Sequence, residues 1–135
     1  MAEAENIALY RRLIEEGVGV GNLQVLDETL SPDIELPTVA PMAEPTIHGL
    51  KQLNEALRAG IPDARAEIVE IVASGDWVAA RLRWTGTHTG EFLGLPPTGK
   101  TFSITEFEIV RCANGRIVEL RNVFDGASLM AQLSG

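Results

Sequence analysis

The sequence predicts an α+β fold, with a sheet of antiparallel strands curled around three N-terminal helices. Three observations predict it. Apolar residues recur at helical spacing as far as Gly60. Beyond Asp63 the period changes to two and stays so through Phe124. Asn114-Gly115, a strong short hairpin signal, joins the last two strand-like runs, so the strands follow one another as a meander beside the helices.

The elements follow in order. From Ala4 to Glu16 the apolar residues Ile7, Leu9, Tyr10, Leu13 and Ile14 form one face of an amphipathic helix, and Gly17 is its stop. Asn22 is placed to cap a second short helix carrying Leu23, Val25, Leu26 and Leu30, which Ser31-Pro32 should end. Ile34 to Leu36 is a candidate first strand, and Pro37, Pro41 and Pro45 mark a loop or edge passage after it. A third helix runs from about Leu50 to Arg58 and closes at Gly60-Ile61-Pro62-Asp63, with His48 placed to satisfy backbone groups at its start. Strands are expected at 66–73, 77–85, 101–112 and 116–124, and a short helix at 126–133.

Composition bounds the function. A chain of 135 residues, 45% hydrophobic and 22% charged, fits one domain with a sizeable core. Eleven basic against nineteen acidic residues give a net charge of −8, which opposes binding to nucleic acid or to an anionic membrane surface. The apolar runs fall far short of the roughly 20 residues that span a bilayer, and the acidic start lacks the layout of a signal peptide, so a cytoplasmic protein is expected. The single cysteine, Cys112, reads as packing. Neither Cys-x-x-Cys nor His-x-x-x-His occurs, and no metal site is expected. Gly17 to Gly21 is glycine-rich but follows a helix, so it reads as a turn and not as a phosphate loop.

The stretch between the second and third of these strands carries the most information. It reads Thr85-Gly86-Thr87-His88-Thr89-Gly90-Glu91-Phe92-Leu93-Gly94-Leu95-Pro96-Pro97-Thr98-Gly99-Lys100. Its glycines and the Pro-Pro pair fix backbone angles, and Phe92 and Leu93 are apolar in a polar setting, which is the character of an ordered, site-shaping loop. This loop resembles that of SnoaL-like polyketide cyclases, in the nuclear-transport-factor-2-like superfamily. Other pieces agree in register: Gly21-Asn22-Leu23, Ser31-Pro32-Asp33, Ile61-Pro62-Asp63, Ser74-Gly75-Asp76, Asn114 to Glu119, Val123-Phe124-Asp125 and Gln132-Leu133. The resemblance covers nearly the whole chain, and it implies the cone-shaped, curved antiparallel sheet (α+β barrel) of that superfamily.

It implies cofactor-independent acid/base catalysis on a hydrophobic, carbonyl-containing small molecule, most concretely ring closure by intramolecular aldol condensation. In the resembling cyclases a carboxylic acid at the end of the last long strand is the general acid/base, and Asp125 matches it. Closing a carbon–carbon bond requires removing a C–H proton and protonating a carbonyl oxygen, and one carboxyl in a dry pocket can do both. Asp125 also precedes Gly126-Ala127-Ser128 and is placed to cap the last helix. His88, inside the loop, is a second candidate catalytic residue, with a loop-pinning hydrogen bond as its structural reading.

A two-residue turn at Asn114-Gly115 would place Arg121 opposite Glu108, Val123 opposite Glu106 and Asp125 opposite Ile104, so that these charged groups share a face. Arg121, Glu106 and Glu108 on that face, together with Trp84 as a pocket-wall aromatic and Phe92 of the loop, are the candidate substrate-binding residues. If that face is instead solvent, Glu108–Arg121 is an ordinary surface ion pair. Many relatives carry Glu-x-Trp where this chain has Glu119-Leu120-Arg121, which replaces an aromatic by a guanidinium. The alternatives are an isomerase, dehydratase or hydrolase using the same carboxyl, or a non-catalytic small-molecule binder. The outward residues Trp77, Ala79, Arg81, Arg83 and Thr85 are expected to mediate a homodimer or homotetramer.

Overall fold

A computed structural model describes residues 2–39 and 42–134. Helix α1 (Ala2–Arg11) runs into a π-helical stretch, Arg12–Val18, that widens until Gly17 leaves helical geometry altogether. Helix α2 (Gln24–Thr29) follows, then β1 (Leu30–Glu35), α3 (Ile47–Gly60), β2 (Arg65–Ser74), β3 (Trp77–Thr87), β4 (Thr101–Ala113), β5 (Arg116–Phe124) and α4 (Gly126–Ser134). The predicted α+β architecture is present, with a curved sheet that stays open.

The sheet order is β1-β5-β4-β3-β2, and β1 runs parallel to β5, so the sheet is mixed where an antiparallel one was expected. Strand β1 also starts at Leu30, earlier than the expected Ile34, and runs through Ser31-Pro32. Proline has no N–H to give a ladder, but β1 is an edge strand and accommodates it, so the strand begins directly after α2. Two expected caps also differ. No side chain caps α2, whose first turn is closed by backbone bonds such as Leu26 N–H to Leu23 C=O at 3.1 Å. Helix α3 starts three residues before the expected Leu50, because Thr46 Oγ1 accepts from Gly49 N–H at 3.1 Å, while His48 is exposed.

The β4–β5 hairpin decides which side chains face inward. Asn114 and Gly115 both adopt positive φ, 52° and 74°, as a tight two-residue hairpin turn requires. Ala113 pairs with Arg116 and Cys112 with Ile117, as the turn predicts. One extra residue on β5 then shifts the ladder, so Arg111 pairs with Glu119, Ile109 with Arg121, Glu108 with Asn122 and Glu106 with Phe124. A one-residue slip exchanges the two faces of a strand. Asn122 therefore joins Glu106 and Glu108 on the concave face, and Arg121 and Val123 turn to the convex one. This corrects the expected pairing of Arg121 with Glu108 and of Val123 with Glu106.

The core fills the concave side. Tyr10, Leu13, Ile14, Leu26, Leu82 and Ile117 are fully buried between the N-terminal helices and the sheet. A second cluster, built from Ile61, Phe102, Ile104, Leu129 and Leu133, seats α4 against β4. Gln132 ties that helix to the strand by accepting from Ser103 N–H at 2.8 Å and donating to Ser103 C=O at 2.9 Å.

Candidate active site

Between the two clusters the concave face encloses a cavity of about 550 Å³, within the size range of small-molecule sites. Its wall is mainly apolar, with Leu50, Leu53 and Leu57 from α3, Ile104 from β4, Leu120 from β5 and Phe92 from the 88–100 loop. Glu91, Glu106 and Glu108 also line it, and none of the lining residues is Lys, Arg or His.

Glu106 and Glu108 lie two residues apart on β4 and therefore on one face. Glu106 is only 7% exposed, and both its oxygens are engaged. Trp84 Nε1 on β3 donates to Oε1 at 2.7 Å, and Asn122 Nδ2 on β5 donates to Oε2 at 2.7 Å. Asn122 is itself held by Thr38, whose Oγ1 donates to Asn122 Oδ1 at 2.6 Å and accepts from the Asn122 backbone N–H at 3.1 Å. Tyr10, fully buried on α1, donates its hydroxyl to Glu108 Oε1 at 2.7 Å.

This setting acts on ionisation. Burial, followed by the charge and hydrogen bond of the neighbouring Glu106, pushes the Glu108 carboxyl well above the usual carboxylate range, and the Tyr10 hydrogen bond pulls the other way. Burial and then Glu108 likewise push the Tyr10 phenol above its ordinary value. The cavity thus holds a carboxyl whose neutral form is favoured by its surroundings beside a carboxyl that accepts hydrogen bonds on both oxygens.

The 88–100 loop closes one side. Phe92 and Leu95 exchange backbone hydrogen bonds at 3.1 and 2.9 Å around a turn in which Leu93 and Gly94 have positive φ. Thr89 and Gly90 N–H both donate to Gly60 C=O, anchoring the loop on the end of α3. A Cβ on Gly60 would lie 2.5 Å from Phe92 Cβ and 2.6 Å from the Glu91 carbonyl oxygen, so this approach needs glycine.

The structure brings together four of the seven predicted site residues: Trp84, Phe92, Glu106 and Glu108 line the cavity. Asp125 does not. It is exposed, and its Oδ1 accepts from Ser128 N–H at 3.0 Å, which is the helix-capping arrangement. Arg121 lies on the convex face bound to Glu119, whose carboxyl it and Arg111 hold below the usual range. His88 is fully buried outside the cavity wall, where its Nδ1 meets Thr98 Oγ1 at 3.0 Å and its backbone bonds Lys100 and Gly99. That is the loop-pinning arrangement. Its Nε2 has no partner among the described residues.

Tyr10, Thr38 and Asn122 are the site residues that sequence reasoning missed. Among the described residues no three His, Cys, Asp or Glu side chains converge to hold a metal ion. No described helix is long and apolar enough to cross a membrane.

The family follows from comparison. The sequence profile of SnoaL-like polyketide cyclases matches residues 8–133. The chain belongs to this family. Among its relatives, aklanonic acid methyl ester cyclase AcmA of Streptomyces galilaeus is 30% identical over 132 residues, covering 96% of this chain and 91% of that one. Nogalonic acid methyl ester cyclase of Streptomyces nogalater is 33% identical over 118 residues, covering 84% and 86%. The crystal structure of IdmH from Streptomyces antibioticus superimposes with a TM-score of 0.84 at 35% identity, covering 96% of this chain and 99% of that one.

Proposed function

We propose that this protein is a cofactor-independent cyclase that closes a ring in a polyketide-type ester by intramolecular aldol condensation. The observation that carries the proposal is an apolar cavity of ligand size with two adjacent carboxyls on its wall, in a chain of the cyclase family. Apolar walls fold the flexible substrate so that its donor carbon meets its acceptor carbonyl, which turns an improbable encounter into a local one. The carboxyls then handle the protons. Asp125, engaged as a helix cap, is outside this chemistry, and so are Arg121 and His88. A cavity lined by glutamates and no cation favours an ester over a free carboxylate, consistent with the methyl esters named for the two relatives. The reading places the enzyme in the cytoplasm as a homo-oligomer.

Incubating the protein with aklanonic acid methyl ester and nogalonic acid methyl ester, and following ring closure by chromatography and NMR, tests the proposal. A ring-closed product forming at a rate proportional to protein concentration is expected. Absence of conversion for both esters by correctly folded protein would overturn the polyketide-ester reading.

A further inference from the structure

We propose that Glu106 and Glu108 divide the acid/base work of the cavity, Glu106 taking the proton from the donor carbon and Glu108 delivering one to the acceptor carbonyl oxygen. The inference rests on the cyclase reading and goes beyond it by giving each carboxyl its own role.

The hydrogen bonds fix the division. Both Glu106 oxygens already accept N–H groups, from Trp84 and Asn122, neither of which can accept a proton in return. The proton of the pair therefore resides on Glu108. There Tyr10 occupies Oε1 as a donor, which leaves Oε2 to carry it. The partners come from β3, β5 and α1, three elements that converge on the same two residues of β4. The titratable groups lining the cavity are Glu91, Glu106 and Glu108, with Tyr10 behind them. Among the described residues no cationic side chain lines the cavity to draw the proton off Glu108.

The step balances without a co-reactant. The Glu106 carboxylate takes a proton from the carbon next to the donor carbonyl, leaving an enolate. The enolate carbon attacks the acceptor carbonyl carbon, forming the C–C bond while the C=O π pair moves to oxygen. Glu108 gives its proton to that oxygen, making a hydroxyl. Glu106, now protonated, returns the proton to its neighbour Glu108, and the pair is restored.

Two measurements test the division. The first needs no substrate: the side-chain carboxyl carbons of ¹³C-labelled glutamate are followed by NMR through a pH titration. Glu108 is expected to titrate above the ordinary glutamate range, to move down in Glu106→Gln, and to move further up in Tyr10→Phe, which removes the hydrogen bond favouring its ionised form. An ordinary titration of Glu108, or no response to Glu106→Gln, would overturn the shared-proton pair whether or not the protein is a cyclase.

The second measures deuterium exchange at the donor carbon of aklanonic acid methyl ester alongside ring closure. Glu106→Gln should lose both by about 10²–10⁴-fold, whereas Glu108→Gln should lose closure by a similar factor and keep exchange. Equal loss of both processes in the two variants would overturn the division. A wild-type protein that neither exchanges nor closes the ester, with the titration behaving as expected, would sink the ester reading and leave the shared-proton pair standing.

Discussion

Glu108 sits where its charged form is unwelcome, and this couples its proton to the stability of the fold. Its carboxyl titrates above 4.5, the ordinary value, in the folded state, first because of burial and then because of Glu106. Over the window from about that ordinary value up to the raised one, the folded state binds more protons than the unfolded state. Stability then falls as pH rises. The contribution is full below the ordinary value and lost through the folded one. Replacing Glu108 by Gln keeps the neutral shape and removes the titration, so urea unfolding should show the variant gaining on the wild type from pH 5 to pH 8. A wild type whose stability is flat across that range, with no gain in the variant, would contradict the assignment. Glu106 and Glu108 were legible in the sequence because two glutamates in an alternating apolar strand must share a face. Tyr10 was not, because a tyrosine among helical apolar positions reads as core, and its hydroxyl partner lies 98 positions away. Asp125 was legible as a carboxyl at a strand end, and its capping bond from Ser128 N–H was legible in the Gly126-Ala127-Ser128 that follows it.

At the scale of elements, the β5 irregularity explains the main error of sequence reasoning. The Asn114-Gly115 turn forms as its residues dictate, yet one extra residue further along exchanges the faces of everything after it. Val118 is one apolar residue in an alternating run, and nothing in its type marks a bulge. Helices and strands were otherwise placed to within a few residues, because their periodicity is long and regular. The 88–100 loop was legible through its glycines and prolines, and its anchoring explains what Phe92 does. Phe92 lines the cavity and packs at the edge of the second cluster, beside Gly60. Its replacement by Ala should weaken ligand affinity more than it lowers the melting temperature, since the backbone bonds that hold the loop do not involve its ring. Calorimetric titration with the ester, together with a thermal melt, checks this. A collapse in melting temperature at unchanged affinity per folded molecule would make Phe92 a core residue instead.

On the whole-molecule scale, the two faces of the sheet differ in kind. The concave face is closed by helices, whereas the convex face leaves Val72 at 65%, Phe107 at 57% and Val123 at 70% exposed. The bulge contributes to this patch by turning Val123 outward. The ion pairs Arg81–Glu70 and Arg83–Glu67 border it, but exposed pairs of this kind contribute only about 0 to 1 kcal/mol, so burial of apolar area dominates. Association through this face predicts a dimer or tetramer in sedimentation at micromolar concentration, and Phe107→Glu should shift it toward monomer while the fold persists. A monomeric wild type would make the patch ordinary surface.

The central claim is that the chemistry belongs to the cavity carboxyls and not to the strand-end aspartate, and one comparison in the ester cyclisation assay tests it most directly. Glu106→Gln and Asp125→Asn are matched changes: each replaces a carboxylate by an amide of nearly the same shape, and Asn still caps a helix well. The account predicts that turnover falls by about 10²–10⁴-fold in Glu106→Gln and stays within a few-fold of wild type in Asp125→Asn. The reverse pattern, with Asp125→Asn inactive and Glu106→Gln competent, would contradict it.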